Sequence, residues 1–400
     1  MSEETTRLAL PGARRGRALE DTLAKIMPFL RQAGITRVAV VSGLDTSTVP
    51  TVMVVRPLSM SLSVTQGKGL TLVAAKVSGI MEAIEHHHAE SVHGRIKLAS
   101  EVELGNAAVS GMCLASRSPL YTADRRILWQ AGEGLVSGRE RWVPFDAVHL
   151  DLRLDGLAQG PSFIPSSNGL ASGNTREEAT VHAICELIER HLVAEFYELP
   201  VLEQESRRLA NHAISDADCR RLLDSQAEVG IHAAIWDLTN ELEVPCFFCE
   251  LLGEADELRP IPAARGFGCH AESGVALARA ITEAAQSRLT SITGSRDDIL
   301  PQSELERNVR ISLSRQQWQA RLAQPAERLF RRIPTRPFGS FADERSWLCS
   351  RLLALGFDEP VLVDLSKPDW PIHVVRVIVP GLRFEPTEGH KPEANPANPQ

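Results

Sequence analysis

The chain has 400 residues, 43% of them hydrophobic, which is enough for one large domain or two ordinary ones with a sizeable core. The net charge of −8 argues against nucleic acid or an anionic membrane as the main partner, and the 5% aromatic content argues against a stacking platform for single strands. No apolar run approaches a membrane span, no signal peptide opens the chain, and seven cysteines without framework spacing predict a reducing cytoplasm.

The first part of the chain mixes helical and strand-like patterns. Residues 1–17 are polar and rich in arginine, and we expect most of them to form a flexible arm. An amphipathic helix pattern and two short strand patterns follow, and a glycine-containing loop then leads into a long helix. These elements are predicted at residues 18–33, 36–41, 51–56, 62–69 and 71–92, in that order.

The rest of the chain continues the mixture without a strict βαβ rhythm, which predicts an α+β or mixed α/β fold. Residues 100–165 are the least periodic, and a proline-containing loop precedes a second long helix that runs to about residue 195. Residues 301–325 are polar, and residues 386–400 contain four prolines and should be extended. Strands are predicted at 142–144, 148–152, 231–238, 244–252, 360–364 and 372–379, and further helices at 202–228, 276–292 and 344–355.

Two of the long helices carry the same pair of glutamates about 100 residues apart, which indicates duplicated supersecondary units. For one such helix, a solvated polar face is the simpler explanation, because like charges at this spacing repel each other. The repetition favours a site instead, since carboxylates that converge from two helices need a cation between them. The matched pairs are Glu82 with Glu186 and Glu85 with Glu189, and a fainter third copy has Glu283 and Gln286.

Ligands that are all oxygen atoms favour Mg²⁺ over zinc, and Mg²⁺ held by carboxylates usually also binds substrate phosphates. The sequence therefore predicts a magnesium–nucleotide site. No P-loop or Rossmann glycine motif stands at a strand–helix junction, so the site belongs to neither of those classes.

These motifs, in this order, resemble the ATP-binding signature of the YcaO family. The resemblance covers roughly residues 11–385 and includes PGARRGRALEDTL at 11–23 and TQGKGLT at 65–71. It implies a YcaO-type fold, with one catalytic domain at 18–385 between the arm and a Pro-rich tail at 386–400. It also implies an ATP-dependent enzyme that phosphorylates the oxygen of a peptide backbone amide before a nucleophile displaces it.

The resemblance gives each motif residue an expected role. Arg15 and Thr22 stand where relatives have lysine and serine, and Ala171 stands where relatives often have serine. Arg288 lies on the opposite side of its helix from Arg279, so we expect Arg279 to contribute more. The expected Mg²⁺ ligands are Glu82, Glu85, Glu186 and Glu189; the expected ATP-binding residues are Arg15, Thr22, Lys68, Ser78, Asn174, Glu178, Gln286 and Arg288; and the expected catalytic residues are Arg190, Arg279 and Glu283.

Ordinary structural roles compete with several of these assignments. Ser78 suits close helix packing, Asn174 suits a helix cap or a turn, and each arginine suits a solvated surface. The run His86, His87 and His88 does not predict a zinc site, because consecutive helix residues point about 100° apart. The Cys246–Cys249 pair lies in a strand pattern, where its side chains face opposite sides, so we expect structural packing.

The attacking nucleophile decides the product of the implied reaction. A Cys, Ser or Thr side chain of the peptide gives an azoline, external sulfide gives a thioamide, and an amine gives an amidine. Residues 34–45 (GITRVAVVSGLD) and 364–382 (DLSKPDWPIHVVRVIVPGL) look most like members paired with TfuA-type proteins, which are linked to thioamide formation. The absence of a Pro-x-Pro-x-Pro ending also favours thioamidation over azoline formation.

The expected partners are a ribosomally made peptide or protein and a TfuA-like or leader-peptide-recognition protein, with a homodimer left open. We see no obvious appended leader-recognition domain, because the resemblance uses nearly the whole length. Two other classes remain alternatives: a non-catalytic nucleotide- or peptide-binding subunit, and a metal hydrolase that acts without ATP.

Overall fold

Small antiparallel sheets and long helices alternate along the chain in the computed structural model. The structure describes residues 7–153, 161–253, 263–294 and 325–384, together with residues 261, 316 and 318. The mixed helix-and-sheet class predicted from the sequence is confirmed. None of the described helices has the length and apolar character that a membrane crossing needs.

The long helices begin at side-chain caps. Thr71 accepts a hydrogen bond from the backbone N–H of Ala74, and Thr175 accepts one from Glu178 in the same way. These two threonines are matched positions of the sequence repeat, so both copies start their helix alike. The helices are α1 (Leu19–Ile26), α2 (Leu72–Ala89), α3 (Glu101–Leu104), α4 (Arg176–Glu198), α5 (Val201–Ser206), α6 (Ala217–Glu228), α7 (Ser273–Thr293) and α8 (Phe341–Ala354).

The strands pair antiparallel throughout the described chain. The first two form a hairpin, β1 with β2, and two sheets of three strands have the orders β3-β4-β5 and β10-β11-β12. The largest sheet has the order β6-β7-β13-β14-β9, with β8 beside β7. The strands are β1 (Leu8–Leu10), β2 (Ala13–Arg15), β3 (Arg37–Val40), β4 (Thr51–Val55), β5 (Val64–Lys68), β6 (Ile96–Ala99), β7 (Ile127–Gly134), β8 (Glu140–Pro144), β9 (Leu170–Gly173), β10 (Ile231–Asp237), β11 (Cys246–Gly253), β12 (Ala264–Cys269), β13 (Val361–Asp364) and β14 (His373–Ile378).

Three strand–helix units give the sequence repeat its structural meaning. In each unit a helix packs on the strand that precedes it: α2 on β5, α4 on β9 and α7 on β12. Each helix also contacts the strand of another unit, with α2 against β9, α4 against β12 and α7 against β5. The three units therefore close into a ring. This arrangement brings the glutamates of the three helices close enough to influence one another electrostatically.

Glycine permits the close approach of strand and helix in two of the units. A Cβ atom on Gly67 would lie 2.0 Å from the Ala75 carbonyl oxygen, and one on Gly268 would lie 2.1 Å from that of Ala276. These pairs occupy matched positions of the first and third copies. The backbone geometry therefore supports the third copy, which is faint in the sequence.

The apolar stripe of the second repeated helix lies in the core, as its spacing predicts. Its four residues are no more than 2% exposed and belong to a cluster that α4 shares with β14 and α8. Burial of a leucine or isoleucine side chain contributes about 1.5–3 kcal/mol, so this stripe fixes the rotation of α4. The stripe consists of Ile184, Leu187, Ile188 and Leu192.

The N-terminal arm differs from the sequence prediction. Residues 8–15 form the β1–β2 hairpin instead of a loose arm. Arg7 pairs with the buried Glu344 at 2.7 Å, and Arg14 donates two hydrogen bonds to Glu272. These partners lie more than 250 positions away along the chain, so local composition does not reveal them.

Several other elements also differ from the prediction. The loop expected at 62–69 contains strand β5, the strand expected at 148–152 is absent from that described segment, and strands β6, β7 and β9 were not predicted. The glycine and polar residues of β5 give no strand pattern in the sequence. The strand is stabilised instead by pairing with β4 and by packing under α2. The helix expected at 202–228 is broken into α5 and α6. Most of 301–325 and all of 386–400 lie outside the described residues.

We predict that Gly67→Ala destabilises the fold by about 1–3 kcal/mol or more, because the added methyl group meets backbone atoms that cannot rotate away. The free energy of unfolding in urea measures this effect. Gly43→Ala is the matched control, since no atom lies within 4 Å of its Cβ position and its φ is not left-handed. Its effect should be neutral or up to about 1 kcal/mol stabilising. Equal effects of the two variants would contradict the close-packing account.

Candidate nucleotide and metal site

Helix α2 contributes Glu85, which is anchored from another unit of the ring. Its Oε1 accepts hydrogen bonds from the backbone N–H of Ser172 at 2.8 Å and from the Ser172 hydroxyl at 2.5 Å. Burial raises the pKa of Glu85 to about 8, although the two hydrogen bonds from Ser172 oppose the rise. The charges of Glu82 and Glu186 add to it. The first and second copies of the glutamate pair thus lie close enough to repel each other.

Helix α4 contributes Glu186, Glu189 and Arg190 to the same region. Burial raises the pKa of Glu186, although Arg190 and Arg376 oppose the rise. Burial and the charge of Glu283 raise the pKa of Glu189 to about 7. Burial alone would lower the pKa of Arg190, but the three carboxylates raise it above its usual value. The buried Arg190 Nε has no hydrogen-bond partner.

Helix α7 contributes Glu283, which pairs with a lysine on β5. Lys68 Nζ donates to Glu283 Oε2, and the backbone N–H of Phe267 donates to Oε1 at 3.4 Å. Burial alone would raise the pKa of Glu283, but Lys68 and Arg190 hold it below its usual value. One turn later, Gln286 Nε2 donates to the carbonyl oxygen of Gln66 at 3.1 Å.

Four of the expected ATP-binding residues form one hydrogen-bonded cluster that joins the N-terminal hairpin to α4. Glu178 Oε2 accepts from the backbone N–H of Gly16 at 3.1 Å and from the backbone N–H of Asn174 at 3.0 Å. Arg15 lies 3.6 Å from the other oxygen of Glu178, and the Thr22 hydroxyl donates to Asn174 Oδ1 at 2.9 Å. The cluster orders residues 15–22 against the start of α4.

Arg279 and His182 face the same region. Arg279 Nη1 donates to the carbonyl oxygen of Cys269 at 3.2 Å. Burial lowers the pKa of His182 well below its usual value, and the charges of Arg279, Arg15 and Lys68 lower it further. The imidazole is therefore neutral at physiological pH, and cations from three parts of the chain surround it.

The structure does not bring Arg288 into this group. Arg288 Nε donates to Asp45 Oδ2 at 2.6 Å and Nη2 donates to Oδ1 at 3.1 Å, a two-pronged ion pair in which both side chains are buried. The ion pair with Asp45 holds Arg288 apart from the other residues expected to bind ATP. It lies half a turn around α7 from Arg279, so the two side chains leave the helix on opposite sides. Ser78 is half-buried one turn before Glu82 on α2, which keeps it on the expected face.

The carboxylates fit Mg²⁺ by their chemistry. Glu82, Glu85, Glu186 and Glu189 supply only hard oxygen donors, and the pKa values of Glu85, Glu186 and Glu189 are raised, first by burial and then by neighbouring carboxylates. Within the residues that the structure describes, no group of three or more His, Cys, Asp or Glu side chains is arranged to hold a metal ion as it stands.

Sequence reasoning missed Ser172 and Arg376. Ser172 occupies the same repeat position as Lys68, and both contact a glutamate on the helix of another unit. That correspondence was available in the sequence, because the two helices had already been aligned. Arg376 acts on Glu186 from strand β14, and no motif marks it.

The histidine run and the two cysteines make ordinary packing and hydrogen-bond contacts. His88 Nδ1 bonds the carbonyl oxygen of Ile84, and His87 Nε2 accepts from Lys367. Cys246 and Cys249 are buried in different core clusters on the two faces of β11.

Sequence comparison places the chain among related proteins. A family model described as YcaO cyclodehydratase, ATP- and Mg²⁺-binding, matches residues 66–383. The chain is 36% identical over 383 residues to an uncharacterized protein in the tfuA 3′ region of Rhizobium leguminosarum bv. trifolii, which covers 91% of this chain and 87% of the relative. It is 30% identical over 378 residues to an uncharacterized protein of Methanothermobacter thermautotrophicus. That alignment covers 90% of this chain and 93% of the relative.

Solved structures share the fold. The structure of YcaO from Methanopyrus kandleri bound with AMPPCP and Mg²⁺ aligns with a TM-score of 0.73 and 21% identity, over 94% of this chain and 95% of that one. A heterocyclase in complex with substrate and cofactor aligns with a TM-score of 0.75 and 21% identity, over 95% of this chain and 55% of that one. This chain thus spans about half the length of that heterocyclase. The two alignments confirm the expected fold.

The raised pKa values predict how stability depends on pH in the nucleotide-free protein. Glu85 and Glu189 bind protons more tightly in the folded protein than in the unfolded chain. The stability that this contributes to the fold is fully present below about pH 4.5, and it is lost as the pH rises through about 7 for Glu189 and about 8 for Glu85. The free energy of unfolding should fall across that window, by about 1.4 kcal/mol for each unit of a pKa shift. Glu85→Gln should flatten the fall, and Glu228→Gln, exposed on α6, should not. Parallel curves for wild type and Glu85→Gln in urea titrations would contradict the raised pKa of Glu85.

Proposed function

The chain belongs to the YcaO family, and from that premise we propose that it is an ATP-dependent enzyme that activates a peptide backbone amide, with sulfide as the nucleophile and a thioamide as the product. The observation that carries the proposal is the meeting of glutamates from α2, α4 and α7 with Lys68 and Arg190 in one partly buried region. Such a combination suits a magnesium–triphosphate group better than it suits any uncharged ligand.

We assign Glu82, Glu85, Glu186 and Glu189 to hold Mg²⁺. When bound, Mg²⁺ neutralises phosphate oxygens and so makes the terminal phosphorus open to attack. The chain's part is to hold these carboxylates in place before binding. Ser172 does so for Glu85 through two hydrogen bonds, and the buried stripe of α4 does so for Glu186 and Glu189.

The cations have a separate task, which is to stabilise negative charge during phosphoryl transfer. Lys68 is held by Glu283, and Arg190 lies among Glu186, Glu189 and Glu283 with its Nε unsatisfied. Arg279 adds a third positive charge beside the neutral His182. We propose that Arg15, Thr22, Asn174 and Glu178 order the N-terminal side of the ATP site, and that Ser78 and Gln286 complete it.

The reaction balances without a redox partner. The amide oxygen attacks the terminal phosphorus of ATP, and ADP leaves. Hydrosulfide then adds to the activated carbon, the carbon–oxygen bond breaks, and phosphate leaves with the former amide oxygen. The sulfur stays on carbon, and the hydrosulfide proton passes to phosphate, so amide, ATP and HS⁻ give thioamide, ADP and hydrogen phosphate.

Support for sulfide comes from the relative in the tfuA 3′ region, and a TfuA-type protein is the partner that we propose. The family model, described as a cyclodehydratase, supports the second candidate, an azoline-forming enzyme that uses a Cys, Ser or Thr side chain of the peptide. The retained carboxylates weigh against a non-catalytic subunit. All seven cysteines are free thiols, in keeping with the cytoplasm that we propose as the location.

We predict that Glu186→Gln lowers ATP turnover by at least about 100-fold in the presence of peptide, partner and sulfide, because a metal-binding charge is lost. Glu241→Gln, which changes an exposed residue, is the control and should keep full turnover. Mass spectrometry of the peptide identifies the product: exchange of one oxygen for one sulfur supports thioamidation, and loss of one water supports the azoline alternative. Full turnover by Glu186→Gln would contradict the assigned site.

A further inference from the structure

Strand β14 carries a buried guanidinium that the proposed ATP site does not use. Arg376 is 3% exposed, its Nε donates to the Ala147 carbonyl oxygen at 3.1 Å, and its Nη2 donates to that of Ser166 at 2.6 Å. Its Nη1 is buried and has no hydrogen-bond partner. A buried charged donor without an acceptor costs about 1–3 kcal/mol or more, so this nitrogen calls for a ligand.

The charge of Arg376 is only partly balanced. Burial lowers its pKa to about 10, and the carboxylate of Glu186 opposes that fall. The guanidinium also lowers the pKa of Glu186 in return. Arg376 therefore lies close enough to the proposed metal-binding carboxylates to influence them, and it retains capacity for a negative charge.

A small cavity lies beside this guanidinium. Its volume is about 30 Å³, and its lining combines Arg376 with Ser166 and Asn168 on the polar side and Leu187 and Phe384 on the apolar side. One water molecule needs roughly 10–15 Å³ measured in this way, so the cavity holds one or two small groups. A phosphate group with its four oxygens is too large for it.

A second cavity adjoins the first. It is open, has a volume of about 310 Å³, and shares Leu114 and Ala115 with the inner cavity. Arg117 and Arg383 lie on its wall, both exposed, and Arg383 is paired with Glu195 at 3.0 Å and Glu198 at 2.7 Å. Arg117 therefore supplies the positive charge at this wall, and such a charge favours entry of an anion over a cation.

We infer that the inner cavity is a binding site for a small monovalent anion, the hydrosulfide nucleophile, and that the outer cavity is its entrance. The inference rests on the proposed thioamide-forming function and adds the place where the nucleophile binds. Arg376 supplies charge and the free Nη1 donor, and Ser166 and Asn168 supply polar contacts. The apolar lining excludes bulk water, which leaves the anion less hydrated and more reactive.

Charge and size separate hydrosulfide from the other candidates. An azoline-forming enzyme takes its nucleophile from the peptide and has no use for a separate anion cavity. The proximity of a guanidinium favours HS⁻ over neutral H₂S, since an opposite charge favours the ionised form. A single water molecule would also satisfy Nη1, so the test has to separate an anion from water.

We predict that Ala115→Trp, which fills the junction of the two cavities from an exposed position, raises the KM for sulfide at least tenfold and leaves the KM for ATP unchanged. Thioamide formation with the full chain, peptide and partner measures both constants. Ala227→Trp, at an exposed position of α6, is the matched control and should change neither. Arg376→Met should raise the KM for sulfide further, and Ala115→Trp keeps the inference testable if that variant fails to fold.

Binding of ³⁵S-labelled hydrosulfide in anaerobic equilibrium dialysis tests the site without turnover. Saturable retention by wild type that is lost in Ala115→Trp, or in folded Arg376→Met, supports the inference. No saturable retention, or retention that survives both changes, overturns it and indicates a water site. If the peptide gains an azoline, the proposed function fails while dialysis still decides the anion site. If thioamide forms with an unchanged KM for sulfide in Ala115→Trp, the function stands and the inference fails.

Discussion

Burying several carboxylates close to one another raises their free energy, because each loses hydration and each is repelled by the charge of the others. The closed ring of three strand–helix units provides the rigid frame that holds them together. The consequences are visible in the raised pKa values of Glu85, Glu186 and Glu189 and in the cations Lys68 and Arg190 placed among them. A magnesium–nucleotide complex would offset the remaining charge. The ligand-free fold therefore already favours binding of such a complex.

Duplication explains how one chain supplies such a pocket, and divergence explains why its parts differ. Lys68 and Ser172 occupy matched positions at the ends of β5 and β9, and each contacts a glutamate on a neighbouring unit. The third matched position is Cys269, whose carbonyl oxygen instead accepts from Arg279. One position of the repeat thus became a cation, a hydroxyl and a thiol. The same backbone position in the three units therefore contributes different chemical groups to the acidic and the basic parts of the site.

The sequence was sufficient for the parts of the fold that follow a local rule. The glutamate helices, the strands β10 and β11 and the buried stripe of α4 all follow from periodicity and capping. Strand β5 did not, because its polar, glycine-containing sequence gains stability only from its neighbours. Ion pairs from Arg7 and Arg14 to Glu344 and Glu272 hold the hairpin of residues 8–15 against the rest of the protein. These partners are distant along the chain, so no local sequence pattern predicts them.

The same distinction applies to the site. The repeat predicted that the four glutamates lie on two long helices, and they lie on α2 and α4. Helical geometry separated Arg279 from Arg288. Ser172 and Arg376 needed tertiary structure, since each acts from a strand on a glutamate of a packed helix. Ser172 positions the Glu85 carboxylate, and Arg376 partly balances the charge of Glu186. Residues with such supporting roles are not marked by a sequence motif.

If Mg²⁺ and nucleotide relieve the repulsion among these carboxylates, their binding releases protons. Calorimetric titration of ATP at pH 7, in two buffers with different ionisation enthalpies, counts the protons released. We expect release that requires Mg²⁺ and that decreases in Glu85→Gln, because the pKa of about 8 at Glu85 must fall when a cation binds. ATP that binds equally tightly without Mg²⁺ and releases no protons would show that these carboxylates do not hold the metal.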